Sequence, residues 1–521
     1  MQAAIPLTIL KKKILIRPLY ILLALLIVGT FIRFYNLTYT SLWLDEIYSM
    51  KGADVNSSIS DIYQYSKQDQ PPLFFILLHV WFKFFGYTDY AGRALTCGFG
   101  VLGILSMYFL GKEVKNEWMG LFAAFVTTIN WFHVGISMEI RFYALVFLLS
   151  TLSYLFFLRS VKRSQTIDLF FYAAFTSLLL NTHYFGLVLF TTQLLIFILH
   201  SIVFRRNLRL MTPSLIAGGL AALSILHWLP VIFHDLQIPG FHVKPLTFRF
   251  LVKFLWWYVY DPAALIIYIG CSVLAFKTIS HKIRKKTFTV EDLVIMGWLF
   301  IGFLIPLLYS LIKMPLLTNK YCTIQLPAIF IFAAQGFTSL KNESLKLFCI
   351  GILAVSASIV LFVARPQYKR SFHEDGREIA IMYFNSEDSD KKSWNEDWRE
   401  VANYFKSINI KNQVIFSQLA WFHEYYFTKN SLALPVDQNV CDFNTLILST
   451  DTIWLLLHHH YTGGWPTIGF SKDQQNLIRK DFKLIDLVLF KKSKAFLYVR
   501  KEENSSEALD TIIPYAANNL P

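Results

Sequence analysis

The sequence predicts a polytopic α-helical membrane protein of about eleven spans, followed by a C-terminal extracytoplasmic α/β domain. Three observations carry that expectation. Of 521 residues, 55% are hydrophobic and 17% aromatic, too apolar for an ordinary soluble domain. Long apolar runs alternate with short Lys/Arg patches, as in loops held on the cytoplasmic side. Beyond residue 365 the continuous apolar runs give way to mixed strand and helix patterns.

Taken in order, Lys11, Lys12, Lys13 and Arg17 precede the apolar run Leu19–Thr30. No small-residue cleavage site follows, so 18–37 reads as an uncleaved first helix. Basic patches recur at Lys112 with Lys115, Arg159 to Arg163, Arg205 to Arg209, Lys277 to Lys286, and Lys341 with Lys346. Between them fit spans at 93–111, 119–138, 142–158, 168–182, 185–204, 211–233, 262–278, 292–312, 321–339 and 345–364, each near the ~20 residues a bilayer requires. The run Leu73–Phe85 is too short, follows Pro71-Pro72 and contains His79 and Lys83, so it is expected to be interfacial or re-entrant. Counting it as a span would invert every later loop and put the basic patches outside. Residues 1–365 thus form the transmembrane domain and 366–521 the extracytoplasmic one. In the latter, Asn395–Ser407 and Leu419–Phe427 read as helices, Gln413–Phe416 and Thr452–Leu457 as strands, and Leu484–Arg500 as a hairpin about Lys491–Lys494.

The net charge of +14 does not imply nucleic acid, because the basic residues are dispersed between apolar runs rather than gathered on one face. Cys97, Cys271, Cys322, Cys349 and Cys441 have no disulfide or metal spacing. This topology brings Asp45 and Glu46, Asp69 to Pro72, Glu139 to Arg141, Asn181 to Tyr184, the loop from His234 to Asp261, and Asn319 to Tyr321 to one face. Ionisable residues kept at a membrane face are costly and are functional candidates by default.

At these residues the chain resembles a known family. The order Ser41-Leu42-Trp43-Leu44-Asp45-Glu46, Gln70-Pro71-Pro72-Leu73-Phe74-Phe75, Phe85-Gly86 with Arg93, Ser137 to Leu145, Thr182-His183-Tyr184-Phe185-Gly186, and Lys320-Tyr321 ahead of Pro327 is similar to the polyprenyl-phosphate-sugar glycosyltransferases of the GT-C fold. That group includes protein mannosyltransferases and lipid A aminoarabinose transferases. The resemblance covers residues 1 to about 340, a stretch long enough for most of the spans. It departs at Asp69-Gln70, where a His or Lys is common beside the Pro-Pro pair, and at Lys320, where an Arg is common.

The resemblance implies a single inverting displacement, with Asp45 as the base that takes the acceptor hydroxyl proton. Glu46 either orients Asp45 or the acceptor, or is a solvated loop residue. Arg141 is expected to bind the donor phosphate, since a guanidinium matches phosphate oxygens in a planar fork, with Glu139 holding it. The alternative is an interfacial Arg snorkelling to headgroups. Lys320 is the second phosphate candidate, or an interface anchor. Asp69 is a substrate-site carboxylate or a helix cap. Tyr143 and Tyr321 complete the expected substrate site. His183 would bond the acceptor, ligate a metal, or be a structural histidine. His458-His459-His460 looks metal-like, but neighbours on a strand point to opposite faces. Arg93 is expected to anchor at headgroups or against Asp69, and the aromatics Trp256, Trp257, Tyr258 and Tyr260 suit an interface belt or a sugar-stacking surface. No metal set is identifiable, and a divalent ion is left open.

The expected partners are a polyprenyl-phosphate sugar donor, a protein, lipid A or other glycan acceptor, and membrane lipids. A transporter or flippase of a lipid-linked glycan is the alternative; it would place its charges near the midplane of paired halves. A catalytically dead scaffold is a third reading, opposed by the intact Asp45 and Arg141. The N-x-S/T triplets at Asn36, Asn56, Asn342 and Asn504 do not decide the host membrane. The C-terminal domain resembles that of bacterial members, which favours an inner membrane.

Overall fold

The computed structural model describes residues 18–204, 212–237, 246–247, 256, 258–259, 261–318, 320–363, 398–408, 413–417, 420–437, 447, 449–458, 477–478, 480–489 and 493–501. Lys11 to Arg17, Arg205 to Arg209, Trp257, Tyr260, Asn319, Cys441, His459, His460 and Asn504 lie outside them. The described residues within 1–39 and 48–392 gather into one compact unit and those within 40–47 and 393–521 into another.

All eleven segments expected to span carry helix. They are α1 (Pro18–Phe34), α5 (Asp89–Val114), the pair α6 (Glu117–Ile129) and α7 (Trp131–Ser137), α8 (Tyr143–Arg163), α9 (Thr166–Leu180), α10 (Phe185–Val203), α11 with α12 (Thr212–Leu223 and Leu229–Asp235), α13 (Pro262–Arg284), α14 (Val290–Ile312), α15 (Leu326–Phe337) after a 3-10 turn at Tyr321–Gln325, and α16 (Glu343–Ser358). Seven of these meet the length and apolarity of a membrane crossing, and α6 with α7 makes an eighth, bent by 64°. Helices α1 and α9 and the segment Tyr321–Phe337 are apolar but shorter, as is α4 (Leu73–Phe85). Between α1 and α4 lie two short helices, α2 (Leu44–Gly52) and α3 (Ile59–Ser66).

Side-chain caps set the starts of these helices. Thr88 accepts from the Ala91 N–H, Asn116 from Met119 and Asn342 from Leu345, while Thr289 and Asp292 form a reciprocal capping box. Close packing comes from small residues. Where α5 crosses α6, a Cβ on Gly111 would lie 2.7 Å from the Gly120 Cα, so the crossing needs glycine on both sides. The break between α6 and α7 falls at Asn130, whose Oδ1 accepts from the His133 N–H at 2.9 Å and thereby starts α7.

The second unit holds a five-stranded sheet in the order β2-β1-β3-β5-β4, formed by β1 (Val414–Ser417), β2 (Val436–Asp437), β3 (Thr452–His458), β4 (Phe482–Leu489) and β5 (Ser493–Arg500). Strand β1 is parallel to β2 and β3, and β5 is antiparallel to β3 and β4. Two helices, α17 (Trp398–Ser407) and α18 (Ala420–Lys429), accompany it. Phe416, Ile447, Ile453, Leu455, Ile478 and Phe482 form its core.

Candidate active site

The turn between α7 and α8 carries Glu139, Ile140 and Arg141, and the Arg141 N–H closes it onto the Glu139 carbonyl at 2.7 Å. Two ion pairs radiate from this turn. Glu139 Oε2 lies 3.0 Å from Lys320 Nζ, and Arg141 Nη1 lies 2.9 Å from Asp69 Oδ2. Arg141 Nη1 also donates to Ser49 Oγ at 3.2 Å. Glu139 was expected to hold Arg141; Asp69 lies beside Arg141, and Glu139 reaches Lys320. The i, i+2 spacing of Glu139 and Arg141 across a tight turn sends their side chains toward different neighbours.

Arg141 and Glu139 are buried, so the snorkelling alternative for Arg141 does not hold. The guanidinium lies 4.5 Å from the Phe142 ring centroid, and the Lys320 ammonium lies 5.5 Å from that of Tyr143. Both cations therefore sit between a carboxylate and an aromatic face, in an environment where charge interactions are stronger than in water.

Asp69 is not a helix cap: α4 begins after Pro72 without any side-chain cap. Its position is set by neighbouring bonds. Gln70 Oε1 accepts from the Tyr184 N–H at 3.1 Å, and the Leu73 N–H donates to the Asn181 carbonyl at 3.0 Å. These tie the Pro-Pro segment to the turn carrying His183. Arg93 is buried and donates to the Leu37 carbonyl at 3.0 Å; burial in protein rules out the expected headgroup contact.

His183 lies in the turn between α9 and α10, buried among Phe142, Tyr321, Phe185 and Tyr143. Its Nδ1 accepts from the Phe185 N–H at 3.0 Å, which puts the ring proton on Nε2. Burial, with Arg141 second, pushes its pKa down to about 3. Its Nε2 has no hydrogen-bond partner among the described residues. His183 is thus neutral, with a donor at Nε2. Among the described residues no three His, Cys, Asp or Glu side chains gather where a metal ion would be held.

Asp45 and Glu46 lie in the first turn of α2 and belong to the second unit. Glu46 is not a solvated loop residue. It is buried, and its Oε2 accepts from the Trp43 N–H at 3.2 Å, capping the start of α2. Asp45 precedes Ser49 by one helical turn. Ser49 went unnoticed in the sequence, and Gln70 was read only as part of the Pro-Pro motif, without a role of its own. A small polar residue one turn after an acidic pair and an amide before Pro-Pro were the only signals.

Comparison with known proteins bears on this arrangement. Residues 69–231 match the family model of the dolichyl-phosphate-mannose-protein mannosyltransferases. No curated protein sequence matches the chain. The fold is similar to that of ArnT from Cupriavidus metallidurans in the apo state, with a TM-score of 0.59 at 11% identity, over 92% of this chain and 97% of that one. The same enzyme bound to undecaprenyl phosphate gives 0.55 at 12% identity, over the same 92% and 97%. The apo oligosaccharyltransferase of Archaeoglobus fulgidus gives 0.51 at 9% identity, over 84% of this chain and 69% of that one. A flippase finds no counterpart in these matches. The chain thus has the GT-C fold of these neighbours, and its residues 69–231 match the model of the protein mannosyltransferases.

Proposed function

We propose that the protein transfers one sugar from a polyprenyl-phosphate donor to a hydroxyl acceptor at the extracytoplasmic face of a bacterial inner membrane. The observation that carries this reading is the pair of carboxylate-held cations, buried Arg141 and part-buried Lys320, in the cluster that also holds the neutral donor His183. A departing phosphate develops negative charge, and preorganised donors at that point lower the barrier most effectively. The ArnT neighbour is known bound to undecaprenyl phosphate, a lipid of the class proposed here as the donor's carrier.

In this reading the acceptor oxygen attacks the anomeric carbon as the bond from that carbon to the phosphate oxygen breaks. The bonding pair leaves with the phosphate, where Arg141 and Lys320 meet it, and the acceptor proton passes to Asp45. One displacement inverts the anomeric centre. Glu46 fixes the start of α2, on which Asp45 stands. Asp69 and Glu139 hold the two cations in place until phosphate arrives, and His183, Tyr143 and Tyr321 bound the sugar site. Residues 1–365 would supply this chemistry and 366–521 the extracytoplasmic domain.

The test is transfer by the detergent-purified chain from a panel of polyprenyl-phosphate sugars, with a membrane extract as acceptor, compared between wild type and Asp45→Asn. The expected result is transfer from one donor and its loss by a factor of about 10²–10⁴ in the folded variant. Normal transfer by Asp45→Asn would overturn the assignment of the base.

A further inference from the structure

Helix α1 carries Arg33 next to its last residue, and this side chain is wholly buried although it lies in an apolar helix. A charge withdrawn from water persists only where its donors are matched. Here four acceptors meet it. Nη1 donates to the Gly29 carbonyl at 3.0 Å and the Thr128 carbonyl at 3.2 Å, and Nη2 donates to the Thr127 carbonyl at 3.0 Å and His133 Nδ1 at 2.7 Å.

These acceptors lie on both sides of the break in the bent span. Thr127 and Thr128 are in the last turn of α6, whose final carbonyls a helix end leaves without intrahelical partners. His133 stands in the first turn of α7. Arg33 therefore satisfies the end of one half-helix and grips the start of the next. Asn130, at the break, donates through Nδ2 to the Tyr258 carbonyl at 2.7 Å while its Oδ1 starts α7. Ser137 Oγ then donates to the His133 carbonyl at 2.6 Å at the far end of α7.

Helix α5 is shaped around this cluster. A Cβ on Gly100 would lie 3.0 Å from Arg33 Nε and press on Ser137, and a Cβ on Gly103 would lie 3.2 Å from His133 Nε2. Beyond Ser137 the chain passes directly into the Glu139–Arg141 turn.

We propose that Arg33 is a positioning residue for that turn: by clamping the two halves of the bent span it sets where Glu139 and Arg141 present themselves to the donor phosphate. The inference rests on Arg141 being a phosphate ligand, and the experiment separates the two. Undecaprenyl phosphate binding to the purified full-length chain is measured for wild type, Arg33→Lys, Arg141→Lys and the double variant, with thermal midpoints recorded alongside. The expected result is that Arg33→Lys weakens binding about tenfold, Arg141→Lys weakens it at least as much, and the double variant binds no worse than Arg141→Lys alone, the non-additivity of residues acting through one another. If the two losses multiply, Arg33 acts on the bundle generally and the proposal fails. If Arg141→Lys binds normally, the phosphate assignment itself fails. Should Arg33→Lys not fold, His133→Gln, which leaves Arg33 its three carbonyl contacts, takes its place in the same cycle; undiminished binding by that variant would also overturn the proposal.

Discussion

At the scale of single residues, the site works by keeping some groups charged and one group neutral. His183 is the neutral one, held near a pKa of about 3 by burial and by Arg141. Its unfolded value is the ordinary 6.5, so between these pH values the unfolded chain binds a proton that the native chain refuses. Stability is then present above pH 6.5 and is lost as pH falls toward 3. Thermal unfolding in detergent should fall more steeply with acid for wild type than for His183→Gln, which keeps a donor but does not titrate. Sugar transfer, by contrast, should show no limb near pH 6.5 that His183→Gln removes; such a limb would mean that His183 ionises in the native site. The sequence marked Arg141, Lys320, Asp69, Glu139 and His183 by residue type at membrane-facing ends, and they do meet. Which carboxylate faces which cation was not legible, because Glu139 and Lys320 are 181 residues apart and nothing local encodes their pairing.

At the scale of elements, helix positions were readable because apolar run length and basic punctuation are local properties. The bend at Asn130 was not. The segment 119–138 reads as one apolar span, and what divides it is an Asn cap together with an arginine supplied by α1. Arg33 itself could have been found as a guanidinium inside an apolar run. Packing between helices follows the same logic of non-local fit. A Cβ on Gly120 would press on the Tyr108 carbonyl and lie 3.1 Å from the Lys112 nitrogen of α5. Gly120→Val should therefore cost about 1–3 kcal/mol. Gly98, on α5 itself, has nothing among the described residues within 4 Å of an added Cβ. A melting comparison in detergent should show Gly120→Val clearly lowered and Gly98→Val close to wild type. Equal losses in the two would mean that helix propensity, not the crossing of α5 and α6, governs the effect.

At the scale of the whole molecule, the C-terminal sheet domain shares its compact unit with residues 40–47, the segment that carries Asp45. The bonds that join them are specific. The Leu42 N–H donates to the Tyr426 hydroxyl at 2.8 Å, and Arg399 Nη2 donates to the Thr40 carbonyl at 3.3 Å. Tyr426 is buried, and the Arg399 guanidinium lies 5.6 Å from its ring centroid. The domain thus holds the strand of chain leading into α2, and if Asp45 is the base proposed above, its reach to a hydroxyl proton depends on that approach, since small misplacements of a catalytic group cost large factors in rate. Tyr426→Phe removes one oxygen, keeps the ring, and leaves the buried Leu42 N–H without its acceptor. Transfer by Tyr426→Phe should fall about tenfold in kcat, while undecaprenyl phosphate binding stays unchanged because the proposed phosphate ligands Arg141 and Lys320 belong to the other unit. A loss confined to binding, or no loss at all, would show that the domain does not act on transfer through the Asp45 segment.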